Sequence, residues 1–140
     1  MRLSLRLGKS VMLVVIDTNI LVNALKSANP TAKSSRLLND IYEGVHTMCV
    51  SSAILDEYRD VLFRPQLEIS KPVISEVLHW IEENAYHIEP KPTTQAEIEM
   101  KDEDDRIFYD VAKCVNARLI TRNHKDYPVH ELVTLIDELY

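Results

Sequence analysis

The run Val11-Met12-Leu13-Val14-Val15-Ile16 constrains the fold of this chain more than any other stretch. It is apolar at every position rather than at alternate ones, and it stops at Asp17. An alternating strand leaves one face to water. A continuous, largely β-branched run needs cover on both faces, as strands have in a parallel sheet held between layers of helices.

The rest of the chain agrees with that requirement. Val45–Val50, Tyr86–Glu89, Arg118–Thr121 and Leu132–Ile136 are further short strand candidates. Between them the apolar residues take helical spacing: Ile20, Leu21, Ala24 and Leu25, then Leu37, Leu38 and Ile41, with Gly44 closing the second helix. Ser51-Ser52 is an N-cap signal for a helix through Ile54, Leu55, Tyr58 and Leu62. Pro72 opens another helix, with Val73, Val77, Trp80 and Ile81 on one face. A late stripe runs through Ile107, Phe108, Val111, Ala112 and Val115. This alternation predicts an α/β fold of three layers, α/β/α, around a mostly parallel sheet of about five strands. With 140 residues the chain supports one core. Residues 11–140 are expected to form a single domain behind a polar lead, Met1–Ser10.

Composition excludes several functions. Two glycines, Gly8 and Gly44, are too few for a P-loop or a dinucleotide-binding loop. A net charge of −6 cannot hold nucleic acid by bulk attraction. The apolar runs fall short of the ~18 residues needed to cross a bilayer, and a cytoplasmic protein without membrane association is expected. Cys49 and Cys114 have no C-x-x-C partner and read as buried free thiols of a reducing compartment.

In parallel α/β sheets, sites form beyond the carboxyl ends of the strands. Carboxylates gather at such positions here. Asp17 follows the first strand; Asp56 and Glu57 open the helix after the second; Asp102, Glu103, Asp104 and Asp105 precede the late helix; Asp126 follows the fourth strand, with Asn123 between. Clustered carboxylates repel unless a cation sits among them, and a hard divalent ion suits all-oxygen donors. Such a site can activate water against a phosphodiester without a glycine loop or a basic chain.

These segments resemble the conserved blocks of PIN-domain ribonucleases. Val14-Val15-Ile16-Asp17-Thr18-Asn19 is similar to the first, Ser51 to Tyr58 to the second, Asp102 to Phe108 to the third, and Leu119 to Tyr127 to the fourth. The order is kept, and the toxins of toxin–antitoxin pairs are the most similar subgroup. The resemblance implies a PIN-like domain, a Mg²⁺- or Mn²⁺-dependent endoribonuclease acting on single-stranded RNA, a homodimer, and a cognate antitoxin protein as partner. Carried over position by position, Asp17, Glu57, Asp105 and Asp126 match the acidic quartet that holds metal and performs catalysis. Thr18, Asn19, Asp104, Thr121 and Asn123 match accessory polar positions. Two departures stand out. Glu103 replaces a proline common in the subgroup, and Asn123 stands where many members have Asp, so the fourth ligand is either Asp126 or Asn123 acting through a bound water.

The bland readings stand beside these. Asp17 and Asn19 also suit helix capping, Glu57 can offset Arg59 or Arg64, and Asp102 and Glu103 fit a solvated loop. Asp110 fits an exposed i,i+4 pair with Arg106. The five histidines (46, 79, 87, 124 and 130) show no metal spacing and read as non-catalytic. Trp80 and Tyr86 read as core or interface, and Arg106, Arg122 and Lys125 as candidate phosphate contacts. The rival functions are a catalytically silent module that binds RNA or protein, and a structure-specific DNA nuclease.

Overall fold

The computed structural model describes residues 12–127 and 130–140. The expected lead Met1–Ser10, Val11, and the side chains of His124 and His130 lie outside the described residues. The strands are β1 (Leu13–Ile16), β2 (Thr47–Val50), β3 (Tyr86–His87), β4 (Arg118–Thr121) and β5 (Val133–Leu135). The helices are α1 (Thr18–Lys26), α2 (Lys33–Tyr42), α3 (Ser52–Leu62), α4 (Lys71–Asn84), α5 (Arg106–Val115) and α6 (Ile136–Leu139). The sheet runs in the order β3-β2-β1-β4-β5, and every pairing is parallel.

Consecutive strand residues point to opposite faces. Val14, Val15 and Ile16 are all buried, as are Met48, Cys49 and Val50 in β2 and Leu119, Ile120 and Thr121 in β4. Both faces of the central strands are therefore covered, which is the packing that the unbroken apolar run of β1 demands. Tyr58 of α3 and Phe108 of α5 meet within this core, ring centroids 6.1 Å apart.

Local signals set the helix ends. The Asp17 carboxylate accepts from the Asn19 amide and caps α1. The Ser51 hydroxyl accepts from Ile54 N at 3.2 Å and caps α3. Gly44 takes φ 81° just beyond α2, a left-handed turn that costs glycine little. Asn116 closes α5 in the same region, at φ 55°.

Several expectations need correction. The strands are shorter than their apolar runs: β2 begins at Thr47, and β3 ends at His87. The final apolar stretch divides, because a 3-10 turn at His130–Leu132 leads into β5 and α6 begins at Ile136. Cys49 is buried, but Cys114 lies on the outer side of α5 and is exposed. Tyr86 is 50% exposed, on a strand at the sheet edge.

Asp110 makes no exposed helix pair. It is buried, and its Oδ1 accepts from the Thr93 hydroxyl at 2.5 Å and the Thr93 amide at 3.2 Å. Arg106 is buried too. It donates to both carboxylate oxygens of Glu103, to the Thr93 hydroxyl, to Gln95, and to the carbonyls of Thr94 and Ile98. The guanidinium fork suits this convergence of planar acceptors. Its donors are committed to the protein, which removes Arg106 from the candidate phosphate contacts and Glu103 from the merely solvated residues.

Candidate active site

Connections leave β1 toward β2 on one side, while β4 leads to β5 on the other. The carboxyl ends of β1 and β4 therefore flank the point where the strand order reverses, the place where open α/β sheets form their crevice. Asp17 is the first residue past β1, and its amide donates to the Ile120 carbonyl at 3.1 Å. The ladder thus extends to the residue that carries the carboxylate. Thr121 ends β4 beside it.

Asp17 is 5% exposed, and its carboxylate is held at both oxygens. Oδ1 accepts from Asn19 N at 3.2 Å. Oδ2 accepts from the Thr121 hydroxyl at 3.0 Å and from the Tyr127 hydroxyl at 3.4 Å. Thr121 Oγ1 in turn accepts from Asn123 N at 3.3 Å. Capping and anchoring thus use the same side chain: Oδ1 takes the first-turn amide of α1, and Oδ2 ties the carboxylate to Thr121 of β4 and to Tyr127.

Asp17, Asn19, Lys101, Asp102, Glu103, Asp105 and Asp126 line one cavity of 560 Å³. Asp105 ends a 3-10 turn (Glu103–Asp105) that leads directly into α5. Asp126 ends another, His124–Asp126, that follows β4. Burial and the neighbouring charges of Asp17, Asp102, Asp126 and Asp104 push the Asp105 carboxyl up to about 7. Burial also raises Asp17, and Asp126 adds to that, against the lowering effect of its three hydrogen-bond donors. The acids thus feel one another across the cavity.

Glu57 stands apart. It is half-buried on α3 and is not among the residues lining this cavity. Its carboxyl is raised by burial first, then by Asp104, Asp60 and Asp102, with Arg64 opposing. Its carboxyl thus feels the acidic turn before α5. Asp104 is exposed, and its amide bonds to Asp102 Oδ1. Thr18 is buried in the first turn of α1, with no hydrogen-bond partner for its hydroxyl. The Asn123 side chain accepts from Lys125 N and shapes the turn. Arg59 forms ion pairs with Glu82 and Asp56 and Arg64 with Asp60, while the Arg64 charge also offsets Glu57.

Among the described residues, no three His, Cys, Asp or Glu side chains are drawn together closely enough to hold a metal ion. The donor set still fits a hard divalent cation. It is oxygen-only, it approaches from three separate segments, and burial together with neighbouring carboxylate charge disfavours ionised Asp105 and Asp17, a penalty that a cation relieves. Sequence reasoning missed Tyr127 and Tyr58. Tyr58 O–H donates to the Ile16 carbonyl at 2.5 Å, immediately before Asp17. Their aromatic character reads as ordinary core, and no local pattern shows where a phenol oxygen ends up.

The fold agrees with a known structure. The crystal structure of VapBC2 from Rickettsia felis, bound to a DNA fragment from their promoter, superposes with a TM-score of 0.61 at 19% identity. The match covers 89% of this chain and 98% of that one. Among curated proteins no sequence matches. The PIN domain family model matches residues 13–125, from the first residue of β1 to the turn beyond β4, a span that contains every acid of the cavity, save Asp126 one residue beyond it. The chain belongs to the PIN-domain family.

Proposed function

We propose that this protein is a metal-dependent endoribonuclease that cuts single-stranded RNA and serves as the toxin of a toxin–antitoxin pair. The observation that carries the reading is the meeting of Asp17, Asp105 and Asp126 at one cavity beyond the carboxyl ends of β1 and β4. PIN domains are generally nucleases, and an acidic chain needs a cation to approach a phosphodiester.

Asp17, Asp105 and Asp126 would hold Mg²⁺ or Mn²⁺, with Glu57 contributing from α3 beside Asp104. When bound, the ion lowers the pKa of water and offsets charge on the phosphodiester. The protein's own groups do the rest. Thr121, Tyr127 and the Asn19 amide fix the Asp17 carboxylate. A carboxylate of the cavity that the ion leaves uncommitted would accept the proton. Exposed Arg122 and Lys125 follow β4 and are placed to meet phosphates. Flexible single strands enter such a crevice more readily than a stiff duplex.

A partner has a surface to use. A groove of 820 Å³ between α2 and α4 is lined by Leu38, Tyr42, Val77 and Trp80, with Tyr42 65% exposed. Exposed apolar grooves of this kind suit protein association, and the VapBC2 structure is itself a complex. We assign this groove to an antitoxin chain, and a homodimer is the expected assembly of the toxin. The domain is proposed to span residues 11–140 and to act in the cytoplasm; among the described residues no helix is long and apolar enough to cross a membrane.

The test uses purified protein, a single-stranded RNA pool and Mn²⁺. Cleavage that disappears with EDTA and in Asp17→Asn is expected. Intact RNA at millimolar Mn²⁺, or undiminished cleavage by Asp17→Asn, would overturn the assignment.

A further inference from the structure

A carboxylate offers four in-plane lone-pair positions, two on each oxygen. At Asp17 three of them are occupied. Oδ2 receives the hydroxyls of Thr121 and Tyr127, at 3.0 and 3.4 Å, and Oδ1 receives the Asn19 amide. Both hydroxyls are committed to this use. Thr121 Oγ1 accepts from the Asn123 amide, so its own proton is directed at Asp17. Tyr127 is 1% exposed, and a buried phenol that leaves water needs a hydrogen-bond partner. The other buried phenol of this corner, Tyr58, is bound to the Ile16 carbonyl and cannot replace it.

We propose that Tyr127 is a positioning residue that, with Thr121, closes Oδ2 of Asp17 and so makes Asp17 a one-oxygen ligand, through Oδ1, for a small divalent cation. The inference rests on the metal-nuclease reading above and adds to it a source of ion selectivity. Mg²⁺ and ions like it favour octahedral sites built from single oxygens and waters. Ca²⁺ is larger and readily takes a carboxylate by both oxygens. A site whose most buried acid offers one lone pair disfavours the second mode. The Tyr127 ring reaches this corner because the His124–Asp126 turn brings the chain back toward the end of β1.

The test compares Mn²⁺ and Ca²⁺ affinities of the wild-type chain and Tyr127→Phe by calorimetry, with circular dichroism to confirm the fold. Groups that orient metal ligands typically change affinity by roughly 10–100-fold when removed. The longer of the two contacts to Oδ2 places the expected loss of Mn²⁺-over-Ca²⁺ preference at about tenfold, the low end of that range. An unchanged preference overturns the role of Tyr127 and leaves the nuclease reading intact. A wild-type chain that takes up no Mn²⁺ overturns the nuclease reading and this one with it. Should Tyr127→Phe fail to fold, a crystal of the wild-type chain soaked in Mn²⁺ decides: an ion on Oδ1 alone supports the proposal, and an ion touching Oδ2 overturns it.

Discussion

The Thr121 hydroxyl donates to the Asp17 carboxylate across the seam between β4 and β1, joining residues 104 positions apart. Neither group is exposed, and the parallel register brings them side by side. Removing the donor leaves a buried carboxylate short of one partner and the Asn123 amide without its acceptor. Thr121→Val is therefore expected to lower stability by about 1–3 kcal/mol, the cost of an unmet buried polar group. Urea unfolding measures this, and a midpoint equal to that of the wild type would contradict it.

Asp105 gives the metal-free protein a defined pH dependence. Its carboxyl rises from an ordinary 3.8 to about 7 on folding. Below the lower value both states hold the proton and the group is neutral in its effect. Between the two values the folded state holds more protons than the unfolded one, so stability falls as pH rises through this window. Above about 7 the penalty is complete. Thermal melts in EDTA from pH 4 to 8 are expected to show Asp105→Asn gaining on the wild type as pH rises, and a constant difference would contradict the assignment.

Two residues are candidates for the fourth position of the proposed metal site, and they are placed differently. Asp126 lines the cavity, whereas the Asn123 side chain accepts from Lys125 N within its own turn. Asp126→Asn is expected to weaken Mn²⁺ binding by about tenfold or more. Asn123→Ala is expected to leave binding close to wild type and to cost about 1 kcal/mol of stability through the lost turn bond. Calorimetry with Mn²⁺ on both variants tells them apart, and the reverse ranking would assign the position to Asn123.

Arg106 holds its neighbours through a planar fork that lysine cannot reproduce. Arg106→Lys is expected to loosen the chain between β3 and α5 and to speed its cleavage by trypsin several-fold. Phosphate affinity should stay unchanged, since the guanidinium is spent on the protein. A variant that is cut no faster would show that the other contacts of this segment suffice.

What was legible in the sequence follows from the range of each interaction. The buried run of β1, the Ser51 cap, the Gly44 turn and the late stripe of α5 are local patterns, and each appears in the fold. The acids past β1 and before α5 were legible because strand ends in a parallel sheet share one edge. Glu57 also matches by position, yet no pattern in one helix states that its carboxyl feels Asp104 and Asp102 from the turn before α5. Asp110 shows the opposite failure. Its spacing from Arg106 is right for a helical pair, but Thr93, far away along the chain, takes the carboxylate instead. The Tyr127, Tyr58 and Arg106 contacts are long-range or irregular, and hydrophobic periodicity carries no information about them.

The way Arg106 grips its loop has an evolutionary corollary. Two of its acceptors are main-chain carbonyls, those of Thr94 and Ile98, which any amino acid supplies. The path of this connection can therefore tolerate change at Thr94 and Ile98, provided the guanidinium and its side-chain acceptors Thr93, Gln95 and Glu103 stay. Relatives that differ here in spelling should still deliver an acid at the start of α5 in the same place.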